Sequence, residues 1–323
     1  MSKSATKTNV NTSRKPGTNT TKTRTAPSAG AAPRPDRFRA RHPVLTALVP
    51  VGLVVAALAT MIVVKASSTP GPSPASSHLT TGGSSTTADP ATTALSPTVV
   101  AALSVPATTL NAVGSPASVV LPSRVGNGMG TILRGADGKP LITYIGAEYC
   151  PYCAAERWAL AVALARFGTF SNLSGTHSSG TDVYPDTQTL SFYGSTFTSP
   201  YVDFQAVEEA SNQQVGGTYQ TLQTPTAAQS ALMAKDDPQG SIPFLDIANR
   251  YVVTGSSFSP QVLQGLSRSQ IAAQLADPSS AVAQAVDGAA NAITAAITAV
   301  TGNQPGTVAN SAAIAAIAQK LGA

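Results

Sequence analysis

LITYIGAEYCPYCAAERWALAVALARFG, residues 141–168, decides how this chain folds. Leu141–Ile145 is a short apolar run, rich in β-formers, that follows the turn residues Asp137, Gly138 and Lys139 and reads as a buried strand ending at Gly146. From Ala154 the apolar residues recur at helical spacing until Gly168 stops the run. Between strand and helix stand Cys150 and Cys153, the two cysteines of a 323-residue chain. A cysteine at the start of a helix meets unpaired N–H groups and the positive end of the dipole, and both stabilise a thiolate. Cys150 is therefore the candidate nucleophile. Cys153, one turn further on, is placed to attack a mixed disulfide and release the substrate. Pro151 opens the helix without loss, because an N–H at that position has no helical partner.

A close cysteine pair also occurs as a structural disulfide, a zinc site or an idle pair of thiols. Bridging residues three apart removes little chain entropy, which argues against the first. Zinc needs about four ligands, and the three histidines are scattered: His42 beside an apolar run, His78 in a low-complexity stretch, His177 in a polar loop. The idle pair stays open. Because the chain holds no further thiol for this pair to serve, any redox partner is another molecule.

Beyond this stretch, Ser191–Tyr193 and Tyr201–Phe204 suggest strands, and TAAQSALMAK (226–235) suggests a helix. Ile242–Ile247 and Tyr251–Thr254 read as two strands joined by Ala248, Asn249 and Arg250, with Gly255 after them; alanine-rich helices fill 260–322. This order predicts an α/β domain over residues 98–323, a mixed sheet flanked by helices on both faces. Ala281–Val300 comes nearest to a membrane span within it, but Gln284, Asp287 and Asn291 interrupt the run, and it reads as an amphipathic soluble helix.

The net charge of +5 averages unlike segments. Up to residue 42, ten Lys and Arg stand against Asp36 alone, a net of +9, and large apolar side chains are nearly missing. Such a segment cannot bury enough surface to offset chain entropy, so residues 1–43 are expected to form a disordered basic tail. Val44–Val64 carries no charge over 21 residues, about 30 Å of helix and so one pass through the lipid bilayer. Pro50 and Gly52 are tolerated in such a span. Arg37, Arg39, Arg41 and His42 precede it and Lys65 follows it, which by the positive-inside rule leaves the tail in the cytoplasm and exports the rest. The polar leader and the apolar core are both long for a cleaved signal peptide. Residues 65–97, rich in Ser, Thr, Pro, Gly and Ala, read as a flexible stalk. From Ala66 onward nine basic residues face fourteen acidic ones. The exported part thus offers no basic stripe for phosphates, and nucleic acid is not an expected partner.

YIGAEYCPYCAAERWAL (144–160) resembles the signature of the domain of unknown function 929 family, membrane-anchored thioredoxin-like proteins of actinobacteria and some archaea. The likeness continues through RFGTF (166–170), TSPYVDF (198–204) and IPFLDI (242–247), and covers most of residues 105–277. AEYC (147–150) is also similar to the AEWC of thioredoxins, and the Pro-Tyr between the cysteines to glutaredoxins. The resemblance implies a thioredoxin-like fold in which Pro243 is cis and faces the cysteines, while the backbone of Ile242 pairs with substrate. Tyr149, at the rim beside Cys150, completes the candidate substrate contacts. Thioredoxins carry a buried aspartate six residues before the first cysteine, where this chain has Tyr144. Glu148, Glu156 and Glu208 are the carboxylates that could replace it, each expected to be a solvated or ion-paired surface group. Trp158 reads as core packing.

These readings predict thiol–disulfide exchange on exported cysteine-containing proteins by a membrane-tethered domain. An oxidase or isomerase is expected because the exterior is oxidising. No nucleotide, flavin or metal cofactor is indicated. A membrane redox partner is expected to recharge the pair, and a reductive role would need a separate transmembrane donor, since one span without further cysteines relays no electrons. A redox-inactive binding module is the other reading.

Overall fold

Leu141–Gly146 is buried along its whole length, as an uninterrupted apolar strand covered on both faces must be. The computed structural model describes residues 92–126 and 130–323. The basic tail, the apolar run 44–64 and the stalk up to residue 91 lie outside the described residues, and so do the expectations of disorder, a membrane span and its orientation.

In chain order the strands are β1 (Thr93–Ala94), β2 (Ser123–Arg124), β3 (Leu141–Gly146), β4 (Thr169–Ser171), β5 (Ser174–His177), β6 (Gln188–Ser191), β7 (Thr196–Thr198), β8 (Asp203–Glu208), β9 (Ala210–Val215), β10 (Thr218–Thr221), β11 (Phe244–Ile247) and β12 (Tyr251–Thr254). The helices are α1 (Pro97–Ala102), α2 (Ala107–Val113), α3 (Pro151–Leu164), α4 (Ala227–Asp236), α5 (Arg268–Gln274), α6 (Ala281–Val300), α7 (Gly306–Ala309) and α8 (Ala312–Leu321).

Five strands form a mixed sheet in the order β2-β12-β11-β3-β8. β8 runs parallel to β3, with Ala206 beside Tyr144 and Glu208 beside Gly146; β11 runs antiparallel and sets Leu245 beside Tyr144. β11 and β12 form the hairpin expected from the sequence. In its turn Ala248 and Asn249 take φ of 55° and 57°, the left-handed values that match the twist of paired strands. Side chains alternate across the sheet. Ile142, Tyr144, Leu245, Ile247 and Val253 join the main core with α3 and α6. Ile145, Val207 and Phe244 face the other way, onto Leu232 and Met233 of α4.

α3 is buried at every residue except Tyr152. It packs on α6 and on β6, where Trp158 Nε1 donates to the Gln188 carbonyl at 3.0 Å and Thr189 Oγ1 to the Ala154 carbonyl at 2.7 Å. Both α3 and α6 are rich in alanine, and small side chains let helix axes close in. Of the 20 residues of α6, only Ala281, Gln284 and Ala299 escape burial. This corrects the amphipathic reading of Ala281–Val300: α2, α3 and α8 cover the helix on nearly every side. Asp287, Asn291, Thr294 and Thr298 are all internal. Asn291 donates to the carbonyls of Leu110 and Gly114 at 2.8 and 2.9 Å and accepts from Arg166 at 3.1 Å. Among the described residues no helix is long and apolar enough to cross a membrane.

The fold takes in residues that the sequence assigns to the stalk. Thr93 and Ala94 pair with Gly175 and Ser174, and Arg268 Nη2 donates to Thr93 Oγ1 at 3.0 Å. The β5–β6 and β4–β7 pairs and the β9–β10 hairpin were not expected either. They are short and rich in Ser, Thr, Gln and Asn, so no apolar alternation announces them.

Candidate active site

β3 ends at Gly146 and four residues later Cys150 caps α3, in extended conformation with φ −78° and ψ 122°. Its Sγ accepts the Cys153 backbone N–H at 3.3 Å, the part an N-cap oxygen ordinarily plays. The two thiols are unbridged and unequal: Cys150 keeps 6% of its surface exposed and Cys153 none. The Cys153 thiol, bonding to the Cys150 sulfur, draws Cys150 below the ordinary thiol range against the opposing pull of burial, with help from the Cys153 N–H and the Arg157 charge. Burial pushes Cys153 well above that range.

The substrate contacts implied by the resemblance gather here. The Ile242–Pro243 peptide is cis, and the Ile242 carbonyl lies 3.8 Å from Cys150 Sγ. The Pro243 carbonyl accepts the Gly255 N–H at 2.8 Å, tying this edge to the residue that follows β12. Tyr149 is half-buried and stacks on Tyr219 of β10, with ring centroids 4.2 Å apart and planes 5° from parallel. Ser179 fastens both: its N–H donates to the Tyr149 carbonyl at 2.8 Å and its Oγ accepts from Tyr219 at 2.7 Å. Tyr152, exposed between the cysteines, meets Tyr184 edge to face at 5.9 Å.

The surface positions expected for Glu148, Glu156 and Glu208 are corrected, since all three are fully buried. Glu148 accepts from Ser191 Oγ at 2.5 Å and Thr176 Oγ1 at 3.3 Å, and burial raises its pKa. Glu156 accepts the Ser257 N–H at 2.7 Å and hydroxyl at 3.0 Å, and burial lifts it to about 7. Glu208 holds Arg157, whose Nε and Nη2 donate to its two oxygens at 2.8 and 3.0 Å. Burial opposes the guanidinium's charge, but Glu208, Tyr144 and Cys153 together outweigh it and keep Arg157 firmly protonated. Tyr144, also fully buried, has a hydroxyl without a partner among the described residues, and burial drives its pKa well up. Trp158 is core, as expected.

Sequence reasoning missed Arg157, Tyr184 and Tyr219. Arg157 had a signal: a Glu–Arg pair inside an apolar helical run has to be buried with partners. The tyrosines lie in polar segments that carried none. Among the described residues no three of His, Cys, Asp and Glu come together as a metal site would need.

Fold and site together define an α/β protein that carries an asymmetric dithiol where a buried strand turns into a buried helix. The family model described as a domain of unknown function (DUF929) matches residues 135–299, just over half of the chain and all of this site, and the chain belongs to that family. No curated protein and no solved structure matches it.

Proposed function

We propose that this chain is a membrane-tethered, extracytoplasmic thiol–disulfide oxidoreductase, acting as oxidase or isomerase on exported proteins through a thioredoxin-like domain. The observation that carries this reading is the inequality of the pair. Cys150 caps the helix and touches the surface, with its sulfur stabilised as an anion, while Cys153 is sealed beneath it. Four strands in the order β8-β3-β11-β12, with β8 parallel to β3 and the hairpin antiparallel, support the thioredoxin-like assignment, as does Pro243 opposite Cys150.

In the oxidising direction a substrate thiolate attacks Cys150 Sγ, the Cys150–Cys153 bond breaks, and its electron pair leaves on Cys153 Sγ, which takes a proton. A second substrate thiolate attacks the substrate sulfur of the mixed disulfide and expels Cys150 as a thiolate. The substrate loses two electrons and the dithiol gains them. A membrane-bound disulfide or quinone must then reoxidise the pair. Ile242, Pro243 and the Tyr149–Tyr219 stack form the edge on which an extended peptide would lie.

Replacement of the resolving thiol tests this. Cys153→Ser is expected to accumulate mixed disulfides with exported proteins, seen as high-mass bands on non-reducing gels that collapse with reductant, and Cys150→Ser to show none. Equal trapping by both variants would refute this assignment of roles. No trapping by either, with the purified chain inert toward a model dithiol, would leave a binding platform with idle thiols.

A further inference from the structure

Cys150, Cys153 and Arg157 follow one another on α3 at intervals of three and four residues, which sets all three on one face of the helix. Opposite that face β3 presents Tyr144 and β8 presents Glu208, with Gly146 beside Glu208 in the sheet register. Arg157, Glu208, Tyr144 and Cys153 are all fully buried. Arg157 Nη2 bonds not only Glu208 but also the Ala147 carbonyl, at 2.6 Å, and its Nη1 has no partner among the described residues. A buried ion pair is weak evidence of stability, because apolar residues of similar volume often replace one at no loss. This pair grips the loop that delivers the first cysteine and keeps one N–H uncommitted.

We propose that Arg157 is a positioning residue of the dithiol, a permanent buried cation that favours negative charge on the Cys150 sulfur and is held in check by Glu208. The inference rests on the thiol–disulfide reading above and adds its direction. Favouring the thiolate favours the reduced pair, and so makes the Cys150–Cys153 disulfide the stronger oxidant. The titratable and charged groups around it are Tyr144 on β3, Glu208 on β8, Glu148 and Tyr149 in the β3–α3 loop, and Cys153 on α3. The cation beside them is Arg157, whose charge favours the anionic form of both thiols. Glu208 is the carboxylate bonded directly to it. Glu148 is engaged by two hydroxyls instead.

Two substitutions of opposite sign test the proposal on the reduced full-length chain, read by the pH profile of Cys150 alkylation with iodoacetamide and by equilibration with glutathione. Glu208→Gln keeps the shape and removes the restraining negative charge. Arg157→Met with Glu208→Leu removes both charges at similar volume. The midpoint for Cys150 is expected to fall in Glu208→Gln and to rise in the double variant, each by about one pH unit, a tenfold change in thiolate at fixed acidic pH. The Glu208→Gln disulfide should be reduced by glutathione more readily than wild type, and that of the double variant less. Arg157→Lys should stay nearer wild type than the double variant does. A Glu208→Gln midpoint that stays put or rises overturns the proposal, as do shifts in the same direction in both variants, because a purely structural pair would alter melting without this opposition. Should the double variant not fold, Glu208→Gln decides alone. Opposed shifts in the variants, with a wild-type chain that exchanges no disulfide with a model dithiol, would support the role of Arg157 and remove the oxidoreductase reading, so the two failures are distinct.

Discussion

Asp287 is fully buried in the middle of α6, and neither of its carboxyl oxygens has a hydrogen-bond partner among the described residues. Burial lifts its pKa to about 8, whereas in the unfolded chain it ionises near pH 4. The folded state thus holds a proton that the unfolded state gives up. The stability linked to that proton is fully present below about pH 4, declines as pH rises and is gone above about pH 8. Asp287→Asn removes the ionisation and keeps the size. It is expected to melt higher than wild type at pH 8, by an amount on the order of a few kcal/mol, and the advantage should shrink steadily to near nothing at pH 4. A constant difference across that range would show that the carboxyl does not titrate with folding. Arg157 makes the contrast: its charge is as deeply buried but is paired, and its partner leaves it fixed as a cation.

α6 is packed closely on several sides, and Gly288 faces the segment that follows α2 with no room for a side chain. A Cβ at residue 288 would stand 2.8 Å from Pro116 Cδ and 3.1 Å from Val119 Cγ2. Alanine gains about 1 kcal/mol of helix propensity over glycine. The proline ring cannot rotate aside as a flexible side chain would, so the overlap prevails. Gly288→Ala should therefore lose about 1–2 kcal/mol of stability, measured as a lower denaturant midpoint with an unchanged m-value. A variant at least as stable as wild type would mean that the segment around Pro116 yields. The same crowding explains why α6 is no amphipathic helix: packed from several sides, it needs small or apolar residues all round, and its asparagine serves as an internal clasp.

At the level of the whole chain, the proposed function needs the dithiol domain outside the cytoplasm, where disulfides persist. Arg37, Arg39, Arg41 and His42 just before the apolar run, against Lys65 just after it, are the grounds for that orientation. With both native cysteines changed to serine, a cysteine at Ser77 should react with a membrane-impermeant maleimide in intact cells, and one at Thr20 should react only after lysis. The reverse pattern would invert the topology and remove the oxidising setting on which the oxidase or isomerase reading depends.

Local chemistry made part of this molecule legible in its residues. A β-rich apolar run, a cysteine pair and a helical run adjoin between 141 and 168, and strand, N-cap and helix form there because neighbours a few residues apart are enough to specify them. The β11–β12 hairpin and the helix after Thr226 were legible for the same reason. Burial of charge was not. Glu208 looks like a surface residue until Arg157, 51 positions away, closes on it, and Glu156, though set in an apolar helical run, finds its partner in Ser257, 101 positions away. β1 likewise exists only because β5, far along the chain, satisfies its backbone. Spacing placed the two thiols in one turn of helix. Their inequality belongs to the tertiary structure, since a thiolate's energy depends on the charges and the solvent around it: packing seals Cys153 from solvent, leaves Cys150 at the surface beside the Ile242 carbonyl, and sets the Arg157 charge beneath both.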